Sequence, residues 1–313
     1  MHWWTLLRTR SAFKRLVSDL DPDVALTLVD VGSAGGLKDR WQLLRGRVHS
    51  YCFDPREEAT VRQEPGRTVL PYAVGRETGV AAFLTTRFGN MSSILQPNAE
   101  VLYRFQDREY KAEVVSVDKL PIRRIDDVVP GPTADALKVD AQGSELDILI
   151  GAQTLLRSGL LLAEIEVSFF ERYIGQPLFG EIAAFMRLHG FELFDFYYLH
   201  HYYRTNRLML RKYQIIPDSR SGQIAYADAI FFLSDAAFRA HLDGLPADGQ
   251  SAVLAKFLLL LLIYGKFDCA LQLFDERQLL LSESVRNTFT AFFSALPPGR
   301  RRSAANRDGR VHA

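Results

Sequence analysis

Three short acidic segments of the chain have the residue types and spacing of a ligand-binding site. Residues 30–36 join an acid to three glycines, residues 53–55 place an acid after a second apolar run, and residues 138–145 contain a third acid followed by glycine. If each segment ends a parallel strand, all three meet at one crevice, because ligands bind outside the carboxyl ends of such strands. Glycine lets the backbone approach a ligand closely, and carboxylates accept hydrogen bonds from hydroxyl or ammonium groups.

These segments favour S-adenosylmethionine, which carries an amino-acid group, a ribose with two hydroxyls and a positively charged sulfur. Asp30 is predicted to meet the ammonium group, directly or through water, and Asp54 to bind the ribose. A dinucleotide is disfavoured, because its site needs Gly-x-Gly-x-x-Gly and Ala34 stands at the middle glycine. Two plainer alternatives remain open, namely that Asp54 is a turn residue before Pro55 and that the glycines form an ordinary strand-to-helix turn.

Asp140 is the first candidate catalytic residue, since the third segment brings it beside the cofactor sulfur in a parallel sheet. A carboxylate there orients an acceptor hydroxyl, takes its proton or holds a divalent ion that does so, although no metal-ligand set is predicted. Glu164 and Glu166 share one face of the next strand. The pair is expected to line the acceptor pocket, or one of the two is expected to join Asp140 at a metal, unless they simply form a half-exposed strand end. Glu145 is either a helix-capping acid or functional.

An aromatic segment and a basic loop follow these carboxylates. Residues 194–203 include His200 and His201, either of which is a candidate general base, whereas the aromatic residues more often fill a core. The loop that follows is expected to be solvated or to receive an anionic acceptor, such as a phosphorylated or carboxylated sugar. Its basic residues are Arg204, Arg207, Arg211, Lys212 and Arg220.

Alternating apolar runs and helical patterns predict an α/β chain with a doubly wound, mostly parallel, Rossmann-like sheet. The predicted strands are 26–31, 48–53, 68–74, 134–139, 160–167, 191–199 and 224–233, and the predicted helices between them are 37–44, 57–62, 144–156 and 178–189. The stretch 79–128 breaks this alternation. It predicts an inserted hairpin with antiparallel strands at 80–85 and 113–117, which helps to wall the active site.

Four segments are expected along the chain, namely an amphipathic helix over 1–22, a methyltransferase domain over 23–235, a helical region over 236–296 and a disordered basic tail over 297–313. The first helix is expected to dock on the body or on a second subunit, with an interfacial membrane helix as the alternative. The amino-terminal and carboxyl-terminal helices are therefore the candidate surfaces of a homodimer. The longest apolar run, 257–264, is far shorter than the roughly 20 residues of a membrane span and predicts a buried helix.

Composition argues against several classes of function. A net charge of +1 and a pI near 7.8 provide no general field for nucleic acid or an anionic membrane, so no nucleic-acid partner is expected. Two cysteines, Cys52 and Cys269, cannot form a disulfide framework and lack the spacing of a metal site. A cytoplasmic location, with no transmembrane segment, is therefore predicted.

The motifs resemble those of the FkbM-type methyltransferases, which have the class I methyltransferase fold. The resemblance spans about residues 26–233 and rests on 30–36, 53–55, 125–127 and, most specifically, 138–145. It implies that S-adenosylmethionine methylates a hydroxyl on a sugar, a glycan or a secondary metabolite. The candidate cofactor-binding residues are Asp30, Gly32, Ser33, Gly35, Gly36, Phe53, Asp54, Ala73, Val74 and Asp140, and the candidate catalytic residues are Asp140, Glu166 and His200.

Two residues depart from the family pattern. Gln142 and Asp54 each stand where the family usually has glutamate. The first change leaves no acid at position 142, and the second preserves ribose binding but shifts the reach of the acid. Gln142 keeps a different class of function open, a non-catalytic scaffold that retains the fold and binds a partner through its carboxyl-terminal helices. Such a scaffold would lack productive cofactor binding and would lose its partner without residues 248–313.

Overall fold

The computed structural model describes residues 3–33, 36–44, 46–55, 60–129, 134–216 and 219–297. Gly35, residues 57–59 of the predicted helix 57–62 and the predicted tail after Pro297 lie outside these residues. The described end of that predicted helix is wrong, because residues 60–62 are not helical and Arg62 begins a strand. The strands are β1 (Leu26–Val31), β2 (Val48–Phe53), β3 (Arg62–Glu64), β4 (Arg67–Leu70), β5 (Ala73–Val74), β6 (Gly79–Thr86), β7 (Val114–Arg123), β8 (Ala136–Val139), β9 (Leu162–Ser168), β10 (Phe191–Tyr202) and β11 (Gln223–Leu233). The α-helices are α1 (Trp3–Asp19), α2 (Asp39–Gln42), α3 (Ala99–Leu102), α4 (Arg108–Ala112), α5 (Ile125–Val128), α6 (Glu145–Ile150), α7 (Gln153–Arg157), α8 (Phe179–Leu188), α9 (Asp235–Asp243), α10 (Ala247–Ile263), α11 (Phe267–Arg277) and α12 (Glu283–Ser294).

A large, mostly parallel sheet with the strand order β10-β11-β9-β8-β1-β2-β4-β3 forms the centre of the described structure. Neighbouring strands from β9 to β4 run parallel, whereas β3, β10 and β11 add antiparallel to their neighbours. The chain adds β2 and β4 on one side of β1, and β8 and β9 on the other, so strand addition reverses direction between β1 and β8. Ligands bind at such reversal points in open α/β sheets. The mixed α/β class and its mostly parallel sheet are confirmed, and the doubly wound detail stays a prediction.

Strands β8 and β9, at the centre of the large sheet, are buried along their whole length. Every residue of β8 and β9 is buried, including the carboxylates of Glu164 and Glu166. Strands covered on both faces read as continuous apolar runs, which is why the runs 134–139 and 160–167 predict them correctly. Any acid in such a strand must have a partner within the protein, because an unpaired buried charge is costly.

A smaller sheet with the order β5-β7-β6 lies beside the main one. Its antiparallel β6–β7 pair confirms the hairpin predicted from 80–85 and 113–117. The single strand predicted over 68–74 is wrong, because the chain breaks after Leu70 and resumes as β5, which pairs with β7. Pro71 explains the break, since proline has no N–H to give to a central strand.

The helix predicted over 144–156 is also wrong as one element, because α6 ends at Ile150, Gly151 follows it, and α7 begins at Gln153. A side chain at Gly151 would place its Cβ 2.2 Å from the carbonyl oxygen of Gly75. This backbone-to-backbone contact fixes the turn at Gly151, and hydrophobic spacing cannot reveal it.

The terminal helices pack on the body of the protein. Phe13, Leu16 and Val17 of α1 are buried, and the ring of Phe13 lies 6.2 Å from that of Phe292 in α12. The apolar run 257–264 is a buried helical segment, as its length predicts. Within the described residues, no helix combines the length and apolarity needed to cross a bilayer. A homodimer through these helices stays a prediction.

Candidate functional site

A cavity of about 470 Å³ lies where β1, β2 and β8 end, at the reversal point of the sheet. The predicted site residues that line it are Gly32, Phe53, Asp54, Ala73, Val74, Asp140, Glu166 and His200. Asp30, Ser33 and Gly36 are described residues that do not line it. The inserted hairpin adds Phe83 and residues 88–92 to the wall. The three acidic segments of the sequence therefore meet at one cavity.

Gly32 holds the first and third segments against each other. Its φ angle is +79°, and a Cβ there would lie 2.0 Å from the carbonyl oxygen of Asp140. The N–H of Gly32 donates to the carbonyl of Phe53 at 3.0 Å, and the N–H of Asp140 donates to that of Val31 at 3.0 Å. Both the conformation and the contact require glycine, so this residue sets the shape of the cavity floor.

Asp30 lies below that floor instead of on its surface. It is 2% exposed, and its carboxylate accepts a hydrogen bond from Lys138 Nζ at 3.1 Å. Burial raises the pKa of Asp30, and Lys138 offsets part of this shift. A direct contact with a ligand ammonium would have to share the carboxylate with Lys138.

Asp54 takes the position expected of a ribose-binding acid. It follows the last residue of β2, its side chain lines the cavity, and its N–H donates to the carbonyl of Leu70 at 3.2 Å. Phe53, Ala73 and Val74 contribute an apolar surface to the same cavity. This combination suits a nucleoside, whose base is apolar on its faces and whose sugar carries hydroxyls.

Gln142 joins the two predicted catalytic carboxylates. Its Nε2 donates to Asp140 Oδ1 at 2.9 Å and lies 3.3 Å from both oxygens of Glu166. Its Oε1 accepts from the hydroxyl of Tyr173 at 3.0 Å, and its carbonyl accepts from Ser93 Oγ at 2.7 Å. A glutamate at this position would place a third carboxylate against two others, so the departure from the family pattern is one that this site stabilises.

Glu166 faces the cavity and forms an ion pair with Arg172, which is itself 2% exposed. Arg172 also donates from Nε to Ser168 Oγ at 3.0 Å. Burial raises the pKa of Glu166 to about 8. The positive charge of Arg172 lowers this pKa, but the nearby carboxylates, Asp140 foremost, oppose that effect. Burial and the negative charge of Asp140 thus favour the protonated carboxyl of Glu166, whereas Arg172 favours the carboxylate.

Glu164 points to a different set of partners, and it does not line the cavity. Its oxygens accept hydrogen bonds from Lys38 at 2.6 Å, from Arg40 at 2.8 Å and from the hydroxyl of Tyr264 at 2.6 Å. Burial alone raises the pKa of Glu164, but the two cations outweigh it and the net pKa is lowered. Lys38 reaches the cavity and also pairs with Asp228 at 2.5 Å. This network joins the cavity to the carboxyl-terminal helices through Tyr264, the residue after α10.

His200 lies in the cavity wall, stacked on the ring of Tyr226 with centroids 4.3 Å apart. Burial lowers its pKa, and the positive charges of Arg172 and Arg108 lower it further. The imidazole is thus neutral at neutral pH and able to accept a proton. Glu145 instead accepts hydrogen bonds from the N–H groups of Gly143 and Ala141, so its carboxylate stabilises the turn that precedes α6.

The basic loop takes a supporting position. Its five basic residues do not line the cavity, and Arg204 and Arg211 contact Phe105, Gln106 and Asp107 instead. The cations that line the cavity are Lys38, Arg108 and Arg172. The sequence gives little signal for them, because their approach depends on the tertiary fold, although Lys38 closely follows the glycine segment. Among the described residues, no group of three or more His, Cys, Asp or Glu side chains is placed to hold a metal ion.

Comparison with known proteins finds a family model and solved structures that are similar to this chain. The family model described as the methyltransferase FkbM domain matches residues 38–193. Among solved structures, the methyltransferase FkbM from Methylobacillus flagellatus KT is similar at 13% identity and a TM-score of 0.35. That match covers 73% of this chain and 60% of the other, so the chain spans less than two thirds of that protein's length. No curated protein matches the sequence.

Proposed function

Because this chain belongs to the FkbM methyltransferase family, we propose that it uses S-adenosylmethionine to methylate a hydroxyl group of a sugar, a glycan or a secondary metabolite. The observation that carries the proposal is the meeting of Gly32, Asp54 and Asp140 at one cavity, each at the end of a parallel strand. The proposal assigns the cofactor to the part of the cavity lined by Gly32, Asp54, Ala73 and Val74. It assigns the acceptor to the part lined by Asp140, Glu166 and His200.

The residues present fit this cofactor. Gly32 lets the end of β1 pack directly against the backbone of Asp140 at the cavity floor, and Asp54 brings to the cavity a carboxylate, the group that accepts hydrogen bonds from ribose hydroxyls. When bound, S-adenosylmethionine would supply an electrophilic methyl group attached to a positively charged sulfur. Asp140 lies where it can orient the acceptor hydroxyl, and Gln142 and Arg172 fix the side chains of Asp140 and Glu166. Alignment of this kind supplies much of the rate of a direct displacement.

We expect Asp54→Ala to weaken binding of S-adenosylhomocysteine by about 100-fold, because two charge-assisted hydrogen bonds are lost. Calorimetric titration of the wild type and the variant measures this, with Asp54→Asn as the matched control that keeps the shape and part of the hydrogen bonding. Equal affinity of the wild type and Asp54→Ala would contradict the role of Asp54. Absence of binding to the folded wild type would contradict the enzyme proposal and favour the scaffold alternative.

We propose His200 as the residue that takes the hydroxyl proton. A base must be unprotonated to act, so kcat is expected to fall as the pH drops through the pKa of His200, which lies below its ordinary value of 6.5. His200→Gln should remove this acid limb of the pH profile and lower kcat by about 100-fold. The neighbouring His201→Gln should keep the acid limb and the wild-type kcat. The measurement is the pH profile of kcat with an acceptor found by screening. A limb near pH 8 that persists in His200→Gln would instead identify Glu166 as the base, given its pKa of about 8.

A further inference from the structure

Arg108 brings a positive charge into the cavity wall from the inserted segment of the chain. It is the first residue of α4, its side chain lines the cavity, and it is half-buried. Its guanidinium carbon lies 4.0 Å from the centre of the Tyr202 ring. Within the described residues it forms no ion pair, so a cation that lines the cavity has no carboxylate partner there.

The other cations of the cavity wall are neutralised by the protein itself. Lys38 pairs with both Glu164 and Asp228, and Arg172 pairs with Glu166. These ion pairs are the expected state of buried charges, since a charge without a partner is costly in a site of low polarity. Arg108 differs from them, and its charge is available to a ligand.

A continuous set of contacts connects Arg108 to the carboxylates at the other end of the acceptor region. Tyr202, under the guanidinium of Arg108, meets the ring of Tyr226 edge-on at 6.1 Å. Tyr226 in turn carries His200 stacked at 4.3 Å and the guanidinium carbon of Arg172 at 4.3 Å from its ring centre. The acceptor region thus runs from a cation, past aromatic rings, to a proton acceptor and to carboxylates.

The position of Arg108 is fixed by its neighbours in sequence. Phe105 stacks on Phe170 with centroids 5.1 Å apart. Arg211 donates to Gln106 Oε1 at 2.5 Å and pairs with Asp107 at 3.0 Å. A residue held in place before binding loses little conformational freedom when a ligand arrives. The basic loop therefore supports the cation of the cavity instead of binding a ligand itself.

We propose that Arg108 binds an anionic group of the methyl acceptor, so that the acceptor is a hydroxylated acid such as a sugar bearing a carboxylate or a phosphate. This inference rests on the proposed methyl transfer. Guanidinium groups form paired hydrogen bonds with either anion, and aromatic rings pack against the apolar faces of sugars. An acceptor held in this way at Arg108 would present a hydroxyl to His200 and Asp140.

The test is a calorimetric titration of the full chain saturated with S-adenosylhomocysteine. The three probes are methyl β-D-glucoside, methyl β-D-glucuronide and glucose 6-phosphate, so that the second and third distinguish a carboxylate from a phosphate. At least one charged probe is expected to bind ten-fold or more tightly than the neutral glucoside. Arg108→Gln should abolish this preference and Arg108→Lys should keep part of it. Arg104→Gln, an exposed arginine in the same segment, should leave it unchanged.

Three results would overturn the inference: failure of both charged probes to bind, equal binding of charged and neutral probes, or an unchanged preference in Arg108→Gln. Binding of S-adenosylhomocysteine by Arg108→Gln shows that the variant is folded and that its cofactor region is intact. Failure of the wild type to bind S-adenosylhomocysteine would contradict the proposed function first, and the inference would fall with it. Titration of the wild type with S-adenosylhomocysteine alone therefore distinguishes failure of the proposed function from failure of the inference about Arg108.

Discussion

Gly32→Ala is expected to destabilise the protein by about 2–5 kcal/mol and to abolish binding of S-adenosylhomocysteine. Two costs add together. An alanine at a φ of +79° occupies a left-handed conformation that costs roughly 1–2 kcal/mol. Its Cβ would also lie 2.0 Å from the carbonyl oxygen of Asp140, an overlap whose relief by backbone movement costs about 1–3 kcal/mol.

Gly36→Ala is the matched control for this prediction. Gly36 has a φ of +83°, and a Cβ there would meet no atom within 4 Å. It should therefore show the conformational cost alone, about 1–2 kcal/mol. Urea denaturation of both variants and the wild type measures the difference in the free energy of unfolding. Equal stability of Gly32→Ala and Gly36→Ala would mean that the contact between Gly32 and Asp140 is not tight.

Asp140→Asn is expected to lower turnover by about 100- to 10,000-fold, the range associated with loss of a positioned proton-transfer or hydroxyl-orienting group. Asparagine keeps the size of the side chain. It also keeps an oxygen that can accept the hydrogen bond that Gln142 Nε2 donates to Asp140 Oδ1 at 2.9 Å in the wild type. Affinity for S-adenosylhomocysteine should therefore stay nearly unchanged. This combination separates a role in the reaction from a role in binding.

Single-turnover methyl transfer and calorimetry of the same preparation measure the two quantities for Asp140→Asn. Asp147→Asn is a suitable control, because Asp147 lies in α6 and its carboxylate pairs with Arg76 at an exposed position. If Asp140→Asn loses cofactor affinity along with activity, Asp140 is a binding residue. If it retains full activity, the proposed acceptor region is misplaced.

The residues that end buried strands could be found from the sequence, because one physical rule brings them together. Gly32, Asp54 and Asp140 each follow an apolar run, and the carboxyl ends of parallel strands share one edge of the sheet. The match of residues 38–193 also confirms the family that these motifs resemble. The cofactor itself, the domain limits and the roles of the individual residues stay predictions.

The residues that the sequence did not reveal are those whose partners lie far away along the chain. Arg172 reaches Tyr226, Lys38 reaches Asp228, and no periodic pattern encodes such contacts. Gln142 is a different case. The sequence suggests a weakened site because an acid is missing there, whereas the structure shows an amide whose N–H group bonds to Asp140 and lies close to Glu166.

The hydrogen bond from Tyr264 to Glu164 bears on how this protein can be divided or recombined. The matched segment ends at residue 193, yet the charge balance around Lys38 at the cavity depends on Asp228 in β11 and on Tyr264 after α10. The segment that carries the family likeness is therefore smaller than the physical unit that maintains the cavity. Substitutions in the last third of the chain can therefore alter the charges at the cavity, because Tyr264 contacts Glu164 and Asp228 pairs with Lys38.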